Sequence, residues 1–183
     1  MIIMVYVFLA DDFEEIEAIE PVDIMRRAGI EVKTVSVMNG LSVRGAHGIT
    51  VEADMMLSDA DPAIFDMIVL PGGMGHLHLD ASNGVHALIN EALIRGKYIA
   101  AICAAPSILG KKQLLSGKRA TCFPGFEKYC YGADLTGEKC VVDGKIITGR
   151  GPGAAADFGF AIVAELKGAA AAEALKSDMQ YND

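Results

Sequence analysis

The chain is short of cysteine, of basic residues and of long apolar runs, and each shortage excludes a class of protein. Its 183 residues hold four cysteines, Cys103, Cys122, Cys130 and Cys140, too few for a disulfide framework. None forms a C-x-x-C pair, which excludes zinc-ribbon and thioredoxin-type sites and points to free thiols in a reducing cytoplasm. Lys and Arg number 16 against 24 Asp and Glu, a formal net charge of -8. That balance offers nothing to a phosphate backbone, so nucleic acid is not an expected partner. No stretch reaches the roughly 20 apolar residues of a membrane span. The apolar start at 2–9 lacks a basic leader and meets Asp11 and Asp12 at once, which is not a signal-peptide layout.

Apolarity is plentiful all the same. Hydrophobic residues make up 52% and charged residues 22%, a balance that excludes a disordered chain. With no span to absorb it, the mean hydropathy of +0.33 predicts a large buried core, and the length suits one domain over 1–183. Short apolar runs alternate with helical segments. Residues 2–9, 31–37, 66–70 and 98–102 read as strands, apolar enough to be covered on both faces. Asp12 followed by Glu15 fits a capping box that opens a helix ending near Gly29. Segments 83–95, 105–112 and 169–176 read as further helices, and Pro152 suits the first turn of another. A hairpin is expected within 39–54, a short strand at 119–122, and Asp143-Gly144 marks a tight turn between 140–142 and 145–148. Strands separated by helices imply a mostly parallel sheet with helices on both faces, whose active sites lie at the carboxyl ends of the strands.

Three candidate loops occupy that edge: 10–13, 71–75 and 103–105. Cys103 stands where the 98–102 strand turns into a helix, a nucleophile-elbow layout. A helix N-terminus there favours thiolate, and the small Ala104 and Ala105 leave the sulfur open. A buried structural cysteine fits the position equally well. Glu17 lies about 20° from Ile24 and Ala28 and about 40° from Phe13 on a helical wheel. It is thus a carboxyl in an apolar stripe, where burial favours the protonated form. Glu20 is its rival on the stripe margin, while Glu14 and Glu15 read as first-turn acids. The turn Pro71-Gly72-Gly73-Met74-Gly75 allows close backbone approach, but matches neither a P-loop nor G-x-G-x-x-G. No histidine adjoins Cys103; His76 and His78 read as loop residues, and no metal site is expected.

Several segments in order resemble the DJ-1/ThiJ/PfpI superfamily, in its DJ-1 and ThiJ-like branch. They are Glu14-Glu15-Ile16-Glu17 with 20–29, Leu70-Pro71-Gly72-Gly73, 100–106 around Cys103, and Thr148-Gly149-Arg150-Gly151-Pro152-Gly153. The resemblance covers nearly the whole chain. It implies a flavodoxin-like α/β/α sandwich, a reactive Cys103 partnered by Glu17, and N–H donors at Gly73 and Ala104 for an oxyanion. It also implies a homodimer with Asp23 and Arg27 near the interface, no cofactor, and a small aldehyde as substrate: a glyoxalase or deglycase activity carrying methylglyoxal to lactate. The alternative it offers is an oxidative-stress sensor or redox-regulated chaperone using the same thiol. Two departures bear on this. Ala104 stands where the peptidase-like PfpI branch has a histidine, which disfavours a peptidase or amidase, and Phe123 stands where DJ-1-type members have one. Gly72, Cys122, His76 and Phe123 are therefore auxiliary positions to locate, with Glu17, His76 and His78 the contenders for a base.

Overall fold

The computed structural model describes residues 2–181, so the ends of the predicted 1–183 domain, residues 1 and 182–183, lie outside the described residues. In chain order the strands are β1 Met4–Leu9, β2 Glu31–Ser36, β3 Ser42–Arg44, β4 Thr50–Glu52, β5 Met55–Met56, β6 Met67–Leu70, β7 Tyr98–Ile102, β8 Arg119–Ala120, β9 Asp134–Leu135, β10 Cys140–Asp143 and β11 Ile146–Gly149. The α-helices are α1 Glu15–Arg27, α2 His76–Ala81, α3 Asn83–Ile94, α4 Pro106–Lys111, α5 Ala155–Lys167 and α6 Ala169–Asp178. Seven strands form the central sheet in the order β10-β11-β7-β6-β1-β2-β5. Every pairing in it is parallel except β10 with β11, which fold back around Asp143-Gly144 as the turn chemistry predicts. The result is a flavodoxin-like three-layer sandwich.

Strand alternation divides the core into two layers. Tyr6, Phe8, Ile68, Leu70, Ile99 and Ala101 face one side, where residues of α3 and α4 pack on them. Val5, Val7, Met67, Val69, Ala100 and Ile102 face the other, against α1 and α5. Burying one large apolar side chain contributes about 1.5–3 kcal/mol, so continuous apolarity in β1, β6 and β7 is what makes them central. Helices α1 and α5 approach closely because residue 159 is glycine: a Cβ there would stand 2.8 Å from Ile24 Cδ1.

Several local expectations shift. The cap of α1 is Glu14, whose carboxylate accepts from the Glu17 N–H at 2.9 Å, and not Asp12. Phe13 bridges both Gly45 and Gly73, which keeps the backbone out of the helix for two more residues. The strand predicted at 119–122 stops at Ala120. From there Thr121 N–H turns to Thr148 Oγ1 (2.9 Å) and Phe123 N–H to the Cys103 carbonyl (2.8 Å). His76 and His78 belong to α2, a helix too short for periodicity to reveal.

Candidate active site

The carboxyl ends of β1, β6 and β7 bring three segments together. Cys103 directly follows β7 with φ +66°, a left-handed conformation that costs a non-glycine residue on the order of 1–3 kcal/mol. Backbone bonds hold it there: its N–H donates to Gly149 O (2.9 Å) and its carbonyl accepts from Phe123. Glu17, three residues past the cap of α1, is fully buried. Its Oε2 accepts from the Gly72 N–H at 3.0 Å. The Glu17 carboxyl and the Cys103 thiol are hydrogen-bonded to each other.

Gly72 is where the two groups meet. A Cβ on residue 72 would stand 2.4 Å from Glu17 Oε2 and 2.6 Å from Cys103 Cβ, so only glycine leaves them room. The N–H groups of Gly73 and Ala104 both reach the Cys103 sulfur. Gly73 has φ +73° and is tied down from the other side, since its carbonyl accepts from His76 Nδ1 at 2.7 Å. That bond requires Nδ1 to carry a proton. His76 is buried with its ring edge-on to Phe126, so it positions the glycine turn and is not the predicted loop residue. His78 is exposed.

Burial sets the electrostatics. It pushes the Glu17 carboxyl up to about 7, against the hydrogen bond to Cys103 and with help from the nearby Glu14 charge. It pushes the Cys103 thiol up to about 12, and the charge and hydrogen bond of Glu17 add to that. This corrects the thiolate expected from a helix N-terminus. α4 has only six residues, the sulfur is nearly covered, and its neighbour is an anion. The resting pair is therefore a thiol beside a carboxyl that ionises near neutrality. Glu17 Oε1 is buried with no hydrogen-bond partner among the described residues.

A raised carboxyl pKa has a consequence for stability. The folded state holds the Glu17 proton more tightly than the unfolded chain does. Its contribution is whole below about pH 4.5 and is lost as pH climbs through about 7, a change on the order of 3 kcal/mol. Glu17→Gln cannot ionise. Its thermal midpoint relative to the parent is expected to rise between pH 5 and pH 8 by about 6–12 °C, measured by calorimetry; a constant difference would mean the carboxyl does not ionise in the fold.

The remaining candidates fall in distinct places. Phe123 is 41% exposed and, with Pro124, Lys139, Arg150, Gly151 and Pro152, lines an open cavity of about 410 Å³. A Cβ at Gly151 would sit 2.9 Å from the Phe123 ring and 4.0 Å from Glu17 Oε1, so a side chain there would crowd the Phe123 ring. Residue order alone does not mark Gly151 for that contact. Cys122 is buried and hydrogen-bonds to Cys130, so its thiol is turned to another partner than Cys103. Asp23 and Arg27 pair with each other at 2.6 Å on the open side of α1. Glu20 is half-buried beside α5, where burial and then Asp157 push its carboxyl up.

Glu14 and Glu15 do more than complement a helix dipole. Glu15 is buried and accepts from the backbone N–H of His47 (2.8 Å) and from His47 Nδ1 (2.9 Å). Burial opposes its charge, but these bonds outweigh burial and hold its carboxyl below the usual range. Glu14, Glu15 and His47 bring ligand-type atoms within 4.8 Å of one another. The cap at Glu17 and the anchoring of the His47 loop account for that grouping without an ion. No helix among the described residues is long and apolar enough to cross a membrane.

The chain is similar to known proteins along most of its length. The model of the DJ-1/PfpI family matches residues 4–165. Protein DJ-1 homolog B of Arabidopsis thaliana is 39% identical over 163 residues, 87% of this chain but only 37% of that protein's length. A Pyrococcus abyssi protein named a deglycase is 33% identical over 81% of this chain and 90% of its own. Among solved structures, Toxoplasma gondii DJ-1 in an oxidized form superposes with a TM-score of 0.94 at 33% identity, covering 99% of this chain and 100% of that one.

Proposed function

The chain belongs to the DJ-1/PfpI family, and from that premise we propose that it is a cofactor-independent cysteine enzyme acting on small reactive aldehydes, carrying methylglyoxal to lactate. The observation that supports this reading is the meeting of Glu17 and Cys103 over Gly72, a carboxyl poised near neutrality in contact with a buried thiol. A thiol held up at about 12 needs a base at the moment it attacks, and the ionised Glu17 is in place to be that base. The Pyrococcus abyssi relative is named a deglycase, which supports a glyoxalase- or deglycase-type reading of this chain.

In this mechanism the Cys103 sulfur bonds to the aldehyde carbon as its proton passes to Glu17. The carbonyl oxygen becomes an oxyanion, steadied by the Gly73 and Ala104 N–H groups and then protonated to a hemithioacetal. Glu17 next takes the proton from the former aldehyde carbon. The enediol that results is reprotonated at the neighbouring carbon, leaving a lactoyl thioester on Cys103. Water cleaves that thioester, releasing lactate and restoring the thiol, so one methylglyoxal and one water give one lactate. With Ala104 and Phe123 where relatives carry histidine, Glu17 handles each proton in turn.

Oxidation sensing is the second reading, favoured by the oxidized state of the Toxoplasma gondii structure. In it hydrogen peroxide oxidises Cys103 in two steps, through sulfenic to sulfinic acid, each step reducing one peroxide to water, and the sulfinate accepts a hydrogen bond from protonated Glu17. Intact mass after mild peroxide, taken beside turnover, separates the two. Oxidation of Cys103 in a protein that never turns over aldehyde would replace the first reading with the second.

The assembly proposed is a homodimer joined through α1, where Ile16 and Ile19 are 50% and 38% exposed near the Asp23–Arg27 pair. Light scattering is expected to give twice the chain mass of 19.3 kDa; a monomer at micromolar concentration would remove the dimer from the account.

A further inference from the structure

Two more thiols lie buried next to the site without a part in the turnover. Cys122 follows β8, and Cys130 closes the 3-10 turn Glu127–Tyr129. Both are free, both belong to the apolar layer packed under α3 and α4, and their thiols hydrogen-bond to each other. Their backbones are pinned. A Cβ on Gly110 of α4 would stand 2.5 Å from Cys130 Cα, and Cys130 N–H donates to Glu127 O at 3.0 Å. Cys122 sits between the Thr121–Thr148 and Phe123–Cys103 bonds.

One of the two is also within reach of solvent species. Cys122 lines a cavity of about 190 Å³ together with Thr121, Pro124, Glu127 and Arg150. A cavity needs roughly 10–15 Å³ of such space for one water, so a peroxide-sized molecule has ample room.

We propose that Cys122 and Cys130 are a redox-active dithiol, a modification site that hydrogen peroxide closes to an intrachain disulfide. Cys122, the thiol that lines the cavity, attacks first. Its sulfur bonds to one peroxide oxygen, the O–O bond breaks, and hydroxide leaves with a thiol proton as water. The Cys130 sulfur then bonds to the Cys122 sulfenic sulfur, the S–O bond breaks, and a second water carries off the remaining proton. Two thiols are oxidised by two electrons, and one peroxide is reduced to two waters. The sulfurs must close to about 2.0 Å, a short movement for thiols already in contact.

This proposal is independent of the aldehyde chemistry, and its test keeps the two apart. The native protein is treated with hydrogen peroxide, then unfolded in guanidinium chloride containing iodoacetamide to block its free thiols, and digested with trypsin without reduction. Cleavage after Lys128 places the two cysteines in peptides 120–128 and 129–139. The expected result is a cross-linked peptide pair lacking two hydrogens, lost on adding dithiothreitol and formed to the same extent in Cys103→Ala. Full alkylation of both cysteines at a peroxide dose that oxidises Cys103 would overturn the proposal. A link from Cys122 to Cys103 or Cys140 would do the same.

Discussion

Glu17→Gln is expected to lower methylglyoxal turnover by about 10²–10⁴-fold while making Cys103 easier to alkylate at neutral pH. The two effects run in opposite directions because the carboxyl has two effects on the thiol. As a base it accepts the thiol proton during attack on the aldehyde, and glutamine cannot. As a charge it raises the Cys103 pKa, second only to burial. Removing the charge drops that pKa and enlarges the thiolate fraction that iodoacetamide captures. Glutamine keeps an oxygen able to accept from the Gly72 N–H, so the turn between β6 and α2 stays where it is. Stopped-time alkylation across pH 6–10 and lactate formation, measured on the same preparation, give both quantities. A variant slower in both would make Glu17 a structural support of the thiol and not its base.

Gly73→Ala is expected to unfold the glycine turn at a cost of about 3 kcal/mol or more. Two obstacles combine. At φ +73° an alanine is strained wherever it sits, and its Cβ would stand 2.5 Å from both the Asp12 carbonyl oxygen and the Glu14 backbone nitrogen. Those are main-chain atoms at the entry to α1, fixed by the Glu14 N–H bond to Gly72 O and the Gly75 N–H bond to Asp12 O. Neither can rotate out of the way. The melting temperature should fall by roughly 6–12 °C, since about 1 kcal/mol moves it 2–4 °C in a domain of this size. Where the variant is still folded, Cys103 should alkylate more slowly, because the displaced turn carries the residue 73 N–H away from the sulfur whose thiolate it stabilises. A melting point unchanged within 1–2 °C, on the order of 0.5 kcal/mol, would show that the turn relaxes freely.

Much of this site can be read from residue order, for definite reasons. Continuous apolarity in 2–9, 66–70 and 98–102 marks buried parallel strands, and their carboxyl ends carry the functional loops by the geometry of the fold. Glu17 stands out because a carboxyl interrupts an apolar helical face, and that face is indeed buried. The state of the thiol was not legible. Position in a turn speaks of dipoles, whereas burial and a neighbouring anion depend on which chains fold over it. His76 was misplaced for a similar reason: its contacts, Gly73 O and the Phe126 ring, come from a turn and from a segment fifty residues on. The cap of α1 moved from Asp12 to Glu14 because Phe13 is held by Gly45 and Gly73, tertiary partners that no local capping rule contains. The Cys122–Cys130 contact, eight residues apart across an irregular segment, has no periodicity that would announce it.

The central claim is that one sulfur forms and breaks the bond to substrate. Incubating methylglyoxal with the wild-type protein and with Cys103→Ala, with no cofactor added, and following lactate by chiral chromatography tests it most directly. The account requires sustained multiple turnovers by the wild type and a rate no higher than buffer for the alanine variant, with the variant's fold checked by its circular dichroism. Lactate formed by Cys103→Ala at the wild-type rate would contradict it.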